Sequence, residues 1–437
     1  MGGVGKTTLA KVMFKWSSEV YAVPYDMYHA VGPCFYCSAQ LRPNAEYVEL
    51  LLRSLLLLLV SNFTTSAPVR LTFDGCKPTF STGQMWDCCP IVSKEPIRNF
   101  KPTFNSSRPI RIRRALQCLD EEELEEYRDK LETAYRILNA LPDDDPRSLK
   151  NQAAFHCANG AGTIDNAGVP FDIHFGWLFH PWHRWFLYFH ERILQSVLGD
   201  PSFTLHFWNW DNDGIVINGR SKGCTKSGHK FPSMYADPSS PLYHQSRSPG
   251  LDDPSLLVDL GRTLYFKDGE TLLPPGPQLP DDVVLARNTE AMAFWFNGDS
   301  STRRFYGRAY RAGDPKMEDF SVTIGGSLEV YAHTSVHFWV QGDMALTGTA
   351  AYDPVFYAHH GNIERLWEHW MRQAPDRVPE DPDFLDAELL FFDENGDTVR
   401  VRVGDVLDTH LLGYDYEETN DASWNDPILA GITLVTL

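Results

Sequence analysis

Fifteen histidines occur in the 437-residue chain, and most of them fall in two clusters, at residues 156–206 and 333–369. In the second cluster, His333 and His337 are four residues apart in a stretch that predicts a helix, so both imidazoles lie on one face. His360 follows in an aromatic segment that predicts a second helix able to pack against the first. Together these three imidazoles could share one metal ion.

The first cluster offers a second group of three. His174 and His183 are separated by FGWLFHPW, a segment too apolar for a surface loop, so it is predicted to pack inward and carry its histidines with it. His156, next to Cys157, completes the group. Any one of these histidines alone would more often be a packed core residue, but six at these spacings favour metal binding.

The chemistry of the donors indicates which metal. Two trios of neutral imidazoles, without carboxylate or thiolate ligands, suit copper better than magnesium or calcium, which prefer oxygen. Structural zinc usually takes cysteine. Redox chemistry with dioxygen follows from a copper pair.

Composition excludes several partner classes. The formal charge is −19 and the pI is about 5.2, so no basic surface is expected to attract nucleic acid or anionic membranes. The fraction of hydrophobic residues, 43%, is that of an ordinary globular protein. Eight cysteines are too few for a dense disulfide scaffold, and the lone Cys34–Cys37 CxxC is weak support for zinc.

The N-terminal region reads differently from the rest. The opening MGGVGKTTLAK resembles the phosphate-binding loop of plant NB-ARC proteins, but it lacks the preceding strand and the earlier glycine that such a loop needs. A fused fragment or gene-model error is favoured over an ATPase. Residues 50–60, LLLRSLLLLLV, are too short to span a bilayer and fit either a targeting segment or a buried helix.

The remaining pattern predicts helices with a small hairpin. Asp120 and Glu123 form a capping box for a helix that ends before Pro142, and three further helices are expected, at 181–198, 326–340 and 353–372. The alternation of Leu389 to Val403 around Asn395-Gly396 predicts the hairpin, and residues 232–285 read as a long loop.

Several blocks resemble plant polyphenol oxidases, the catechol oxidase and tyrosinase family with a type 3 dicopper site. They are DIHFGWLFHPWHRWFLYFHERIL, LHFWNWD, GSLEVYAHTSVHFWVQGD, DPVFYAHHGNIERLW and GYDYEE. The resemblance implies a mainly α fold, an antiparallel four-helix bundle around a dicopper centre, with long loops and small peripheral β-strands. It implies two sets of ligands: His156, His174 and His183 for copper A, and His333, His337 and His360 for copper B.

The same resemblance implies the reaction: oxidation of catechols to o-quinones, with O2 reduced to water. Glu329 matches a glutamate that holds a water near copper B, which makes it a candidate base; a helix N-terminal acid is the plainer interpretation. Thr334 stands where many members have asparagine, which favours diphenol oxidation over monophenol hydroxylation. Leu346 and Thr347 replace a bulky gate phenylalanine, so larger, flavonoid-like phenols could enter.

Other positions either differ from the family pattern or are histidines that are not expected to bind metal. Gly160 replaces a cysteine that is usually joined by thioether to the second copper A ligand, which leaves His174 freer to rotate. Glu364 replaces an aspartate expected to orient an imidazole. His359 is expected beside the copper B ligands, and the remaining histidines of these blocks are taken as packing or surface substitutions: His180, His190 and His206.

By resemblance, Cys76–Cys89 and Cys88–Cys157 would be disulfides, which favours an oxidising compartment. The plastid thylakoid lumen is expected, with the vacuole or secretory pathway as alternatives. The predicted domains are an N-terminal extension (1–75), the catalytic domain (76–417) and a short tail (418–437) without the usual shielding domain. Alternative functions are an oxygen-binding or catalytically degenerate dicopper protein and, third, a nucleotide-binding fragment.

Overall fold

The computed structural model describes residues 67–425, apart from short gaps at 82–83, 92–94, 105–107, 217–222, 252, 254, 261–265, 268–270, 273–278, 298–300, 316–324 and 422. The phosphate-loop-like start, the apolar stretch at 50–60 and the Cys34–Cys37 pair lie outside these residues. Among the described residues, no helix combines the length and the apolar character needed to cross a membrane.

The described chain is mainly helical, as predicted. Its α-helices, in chain order, are α1 (Glu121–Ala140), α2 (Leu149–Ala161), α3 (Phe179–Leu198), α4 (Asp281–Asn297), α5 (Thr302–Tyr306), α6 (Thr334–Val340), α7 (Val355–Arg372) and α8 (Pro382–Leu385). A π-helical turn, Leu328–His333, leads directly into α6. Short 3₁₀ turns are Leu116–Cys118, Ser233–Tyr235, Gly342–Ala345, Ala350–Tyr352, Pro375–Arg377 and Val403–Val406.

Helix α3 forms the centre of the core. Every residue from Phe179 to Glu191 is buried, because α1 and α7 pack on it and strand β7 (Glu388–Phe392) covers a further side. The aromatic residues on nearly every face of this segment therefore meet protein in all directions, as the sequence predicts. The helix begins two residues before the predicted Pro181.

Helix α1 starts as predicted. The Asp120 carboxylate accepts a hydrogen bond from the Glu123 N–H at 2.8 Å, and the Glu123 carboxylate accepts one from the Asp120 N–H at 3.0 Å. This capping box satisfies two N–H groups that a helix start would otherwise leave unpaired. The buried face of α1, including Tyr127 and Leu131, then packs towards α3.

The helix predicted at 326–340 is instead two joined pieces. The Thr334 N–H donates to the Glu329 carbonyl, five residues back, and the Thr334 hydroxyl donates to the same carbonyl at 2.9 Å. This wider turn, of the kind often found at functional sites, changes the angular offset between His333 and the residues before it. Spacing alone does not predict it.

Helix α4 was not predicted, and its first residues lie within the segment interpreted as a loop. Its apolar residues are spread around the helix and give no clear periodic signal. It is held by packing, since Trp295 stacks on Tyr331 of the π-helical turn with ring centroids 5.1 Å apart.

The strands are short and peripheral. They are β1 (Thr79–Ser81), β2 (Gln84–Trp86), β3 (Arg98–Asn99), β4 (Arg111–Arg113), β5 (Phe266–Lys267), β6 (Thr271–Leu272), β7, β8 (Thr398–Arg402) and β9 (Tyr414–Tyr416). The predicted hairpin is β7–β8, antiparallel with Leu390 opposite Arg400, and Gly396 supplies the positive φ of its turn. Strand β3 adds in parallel to β8, and β4 pairs in parallel with β9.

Residues 67–75 lie in the segment predicted as an extension, yet they contribute to the core. Val69 and Leu71 are fully buried, and Phe73 stacks on Phe392 of β7 with centroids 5.8 Å apart. The boundaries of the predicted domains stay a prediction.

A buried ion network ties α3 to α7. Arg113 of β4 contacts Glu191 at 3.1 Å and Glu364 at 2.7 Å, and Arg184 contacts Glu364 at 2.9 Å and Glu368 at 2.8 Å. The hydroxyl of Tyr414 donates a further hydrogen bond to Glu364. Glu364 therefore pairs with arginines and a tyrosine, and the expectation that it orients an imidazole is wrong.

Three disulfides are present in the described chain. Cys76–Cys89 and Cys88–Cys157 match the expected pairs, and the second joins the N-terminal segment to α2, next to His156. Cys118–Cys224 was not predicted, because its cysteines are 106 residues apart and neither lies near a recognised motif.

Replacing both Cys118 and Cys224 by serine should lower the free energy of unfolding by about 2–4 kcal/mol, because the bond closes a long loop. Denaturant unfolding at equilibrium, without reductant, measures the loss relative to the wild-type protein, in which all three disulfides are intact. Unchanged unfolding, together with free thiols at both positions in the wild type, would contradict this bond.

Candidate metal centre

The candidate histidines come from several elements that converge around one side chain of α3, His183. His156 lies on α2 and His183 on α3, whereas His174 belongs to the irregular segment between those helices. The second cluster contributes His333 from the π-helical turn, His337 from α6, and His359 with His360 from α7.

The first group is a nearly regular triangle. The ring centroids of His156, His174 and His183 are 5.5, 5.6 and 5.7 Å apart, and all three residues are buried. One nitrogen from each ring lies within 4.8 Å of the others, close enough to ligate one ion. The structure thus brings together the three residues predicted to share a metal.

The second group contains four histidines whose ligand atoms also lie within 4.8 Å of one another. His333 is 4.4 Å from His337 and 4.9 Å from His360, measured between ring centroids. His359 is equally close, at 4.9 Å from His337. Distance alone therefore does not say which three of the four could act as ligands.

Hydrogen bonding distinguishes His359 from His360. The indole N–H of Trp210 donates to Nδ1 of His359 at 3.0 Å, so the proton of this neutral ring must sit on Nε2. Such a ring has no free lone pair for a metal. His360, in contrast, places its Nε2 3.3 Å from the Nε2 of His337, as two ligands of one ion would.

The two groups face each other. His183 of the first group stacks on His360 of the second with centroids 4.4 Å apart and planes within 10°. His183 also lies 6.4 Å from His333. The six predicted rings therefore surround one small space and do not form two separate sites.

Backbone carbonyls set the tautomer of four rings. The Nδ1 atoms of His156, His183, His333 and His337 lie 2.6 to 3.2 Å from carbonyl oxygens of Thr347, Phe179, Glu329 and Met344, respectively. A carbonyl only accepts, so Nδ1 carries the proton and Nε2 keeps its lone pair. The Nε2 atoms of His156 and His183 are buried and have no partner among the described residues, as expected of nitrogens that await a metal.

Burial keeps these rings neutral. It lowers the pKa of His156, His183, His333 and His360 well below the ordinary value, and the charges of neighbouring imidazoles lower it further. Burial also lowers the pKa of His337, to about 4. Neutral imidazole is the form that binds metals, so the site is ready for an ion at neutral pH.

Two phenylalanines line the space between the two histidine groups. Phe179 lies 4.5 Å from His183 and 4.8 Å from His333, and Phe356 lies 4.1 Å from His360 and 5.0 Å from His156, all between ring centroids. Their apolar rings keep water away from the histidine side chains that they contact.

Glu329 is buried, with one carboxylate oxygen accepting from the Phe175 N–H at 2.5 Å and the other from the Gly326 N–H at 3.4 Å. Burial raises the pKa of Glu329 well above its ordinary value, against the lowering effect of these two hydrogen bonds. Its interior position favours a role beyond that of a surface acid at a helix start.

Gly160 does adjoin His174. A Cβ built on Gly160 would lie 3.5 Å from Cε1 of His174 and only 2.9 Å from Cγ2 of Thr347. The Thr347 methyl thus occupies the space into which a larger side chain at position 160 would extend. Positions 160 and 347 therefore lie next to each other beside the first histidine group.

Three further histidines of these sequence blocks, His180, His190 and His206, are packing residues. His180 lies between Phe305 and Trp367, which stack on it at 5.1 and 5.4 Å. His190 stacks on Tyr357 at 3.7 Å, and His206 accepts a hydrogen bond from the Arg114 N–H at 3.1 Å.

The donor set fits copper. Six converging imidazoles, with no thiolate or carboxylate among them, match a pair of copper ions better than structural zinc or an alkaline-earth ion. Trp210 and Asp172, the polar partners of His359 and His174, are not among the residues predicted from the sequence. For Asp172, the sequence signal is its position two residues before the candidate ligand His174.

The metal-free protein should lose stability as the pH falls below about 6.5, because unfolded histidines take up protons there and the folded ones resist it. This contribution is fully present above that pH and declines as the pH falls towards the folded pKa values. Melting temperatures of copper-free protein between pH 8 and pH 5 measure the slope. A His183→Gln variant should show a shallower decline; a wild type that becomes more stable on acidification would contradict the account.

Comparison with known proteins identifies the family. Residues 146–373 match the common central domain of tyrosinase, and residues 379–427 match the polyphenol oxidase middle domain. The chain is 37% identical over 350 residues to a chloroplastic polyphenol oxidase of Malus domestica, covering 77% of this chain and 53% of the relative. It is 36% identical to the chloroplastic (+)-larreatricin hydroxylase of Larrea tridentata, covering 83% and 58%.

The structure gives the same result. The crystal structure of a polyphenol oxidase from Grenache (Vitis vinifera) superposes with a TM-score of 0.70 at 32% identity, covering 82% of this chain and all of the other. The chain spans a little over half the length of the two curated relatives. By sequence and by fold, this chain belongs to the plant polyphenol oxidase family, which carries the tyrosinase central domain.

Proposed function

We propose that this protein is a copper-dependent polyphenol oxidase that oxidises o-diphenols to o-quinones. Two catechols would lose two electrons and two protons each, and one O2 would be reduced to two waters. The observation that carries the proposal is the face-to-face arrangement of two buried imidazole trios, joined by the stack of His183 on His360.

The proposed ligands are the six histidines whose rings converge, with His156, His174 and His183 for one copper and His333, His337 and His360 for the other. Bound copper ions supply the electron exchange with O2. The chain's own part is to hold the rings in one tautomer through backbone carbonyls and to exclude water through Phe179 and Phe356.

Glu329 is proposed as the base that takes the phenol proton. Its carboxylate is buried, and burial raises its pKa towards the range in which a carboxylate accepts a proton readily. Its two N–H donors stabilise the ionised form that must exist before proton transfer.

Thr334 supports a preference for diphenols. Its hydroxyl donates to the Glu329 carbonyl at 2.9 Å, so it is engaged with the backbone and not free to orient a water beside the Glu329 carboxylate. Thr347, small and exposed, stands where a gate phenylalanine is common, which favours access for larger, flavonoid-like phenols.

A plastid location is proposed, with the thylakoid lumen as the compartment and the vacuole or secretory pathway as alternatives. The first two curated relatives are named as chloroplastic. Three disulfides in the described residues favour an oxidising compartment.

The full chain, loaded with copper and freed of excess metal, should retain two coppers and consume one O2 for every two 4-methylcatechols oxidised. Copper analysis combined with an oxygen electrode measures both quantities. Two coppers without turnover would indicate an oxygen-binding protein, and less than one copper per chain a degenerate site. Either outcome would overturn the proposal, as would ATP binding that depends on Lys6 in a protein that binds no copper.

Glu329→Gln should lower kcat for catechols by about 10²–10⁴-fold, because the general base is lost. Glutamine keeps an acceptor oxygen for the Phe175 N–H, so copper content and KM should change little. Glu388→Gln, which alters a partly exposed carboxylate at the start of β7, is the matched control. A Glu329→Gln enzyme with wild-type kcat would exclude the base role.

Thr334→Asn should raise the ratio of monophenol to diphenol turnover, since an amide can reach a water that the engaged threonine hydroxyl leaves unoriented. The Larrea tridentata relative is named a hydroxylase, so both substrate classes are compared, with tyramine and dopamine as a matched pair. Thr334→Ser, which keeps the backbone hydrogen bond, should leave the ratio unchanged. An unchanged ratio in Thr334→Asn would contradict the assigned preference.

A further inference from the structure

His174 differs from the other candidate ligands in how its backbone is supported. His156, His183, His333, His337 and His360 all lie on helical turns, whose backbone hydrogen bonds fix their positions. His174 lies in the irregular stretch between the end of α2 and the start of α3. Some other interaction must therefore fix this ring before a metal binds.

Asp172 supplies that interaction. One of its carboxylate oxygens lies 2.9 Å from the His174 backbone nitrogen and 3.0 Å from Nδ1 of the same residue. It accepts from both, and so fixes the backbone and the ring together. Both side chains are largely buried, with 10% of the His174 and 13% of the Asp172 side chain exposed, so water screens the contact weakly.

The partner of His174 also differs in kind. In four of the other candidate ligands, the Nδ1 atom lies against a neutral backbone carbonyl. A carboxylate that accepts a hydrogen bond from Nδ1 keeps the proton on that atom. It also makes the Nε2 lone pair a more basic ligand for a metal. The group that contains His174 is thus the one with a charged partner.

The chain on the other side of His174 is held as well. Phe175 adopts a φ of +60°, a left-handed conformation that is costly for a phenylalanine, and its N–H donates to the buried Glu329 carboxylate. The backbone is thereby constrained immediately before and immediately after the ligand.

No side chain from position 160 packs on the Nδ1–Cε1 edge of the ring. At Gly160 there is no side chain, and the nearest group beyond it is the Thr347 methyl. Without a side chain at position 160, this edge of the ring is held by the hydrogen bond to Asp172.

We propose that Asp172 is a positioning residue: it fixes the rotamer and the Nδ1–H tautomer of His174, and thereby sets the affinity of the first histidine group for copper. This inference rests on the proposed copper function. It predicts that loss of the carboxylate weakens one copper of the pair and leaves the other unaffected.

The first test is chelator competition on the full-length copper protein. Asp172→Leu should weaken one of the two coppers by about 10–100-fold, the usual effect of losing a partner of a metal-bound histidine, and Asp172→Asn, which retains an acceptor oxygen, by less. Asp165→Asn is the control: that carboxylate caps the same segment through the N–H groups of Ala167 and Gly313 but touches no histidine. It should leave both affinities unchanged.

The second test needs no copper. In copper-free protein labelled with ¹⁵N-histidine, the His174 ring, assigned by its loss in His174→Gln, should show the Nδ1–H tautomer in the wild type and in Asp172→Asn, and a tautomer mixture in Asp172→Leu. If Asp172→Leu does not fold, Asp172→Asn must still bind one copper more weakly than Asp165→Asn.

Wild-type affinity in both Asp172 variants, or an unchanged tautomer in Asp172→Leu, would overturn the positioning role. A wild type that binds no copper but shows the Nδ1–H tautomer would instead refute the copper function. The two failures are therefore distinguishable.

Discussion

Burying several imidazoles side by side is the constraint on which the rest of this structure depends. Each ring taken out of water must place its N–H proton on an acceptor, or the fold pays for an unsatisfied donor. Helical turns solve this for His183 and His333, whose Nδ1 atoms face the carbonyl four residues earlier. The consequence is chemical, because every proton placed on Nδ1 leaves a lone pair on Nε2, and these point into one shared space.

The surrounding fold holds the two groups at the right separation. Helices α3 and α7 carry His183 and His360, and their stack closes the gap between the groups. The ion network of Arg113, Arg184 and Glu364 joins those same two helices, with Glu364 one turn after His360 on α7. Removing one member would leave a buried charge unpaired, which typically costs about 3–5 kcal/mol, so the network keeps the helices in register.

The sequence allowed the helical class, the capped start of α1, the hairpin and the convergence of six histidines to be predicted, since each depends on local periodicity or on a specific motif. Other features depend on contacts distant in sequence. The choice between His359 and His360 rests physically on Trp210, 149 residues away, and Cys118–Cys224 and the packing of α4 have no local signal. Asp172 stands two residues before His174 in the sequence, but its hydrogen bonds to the backbone and the ring depend on the irregular fold of that segment.

Anomalous X-ray diffraction at the copper edge, on crystals of the copper-loaded protein, tests the central claim most directly. Two peaks are expected, one among the Nε2 atoms of His156, His174 and His183 and one among those of His333, His337 and His360. His359 should accept its hydrogen bond from Trp210 and not bind metal. A single peak, or a peak coordinated by His359, would contradict the claim.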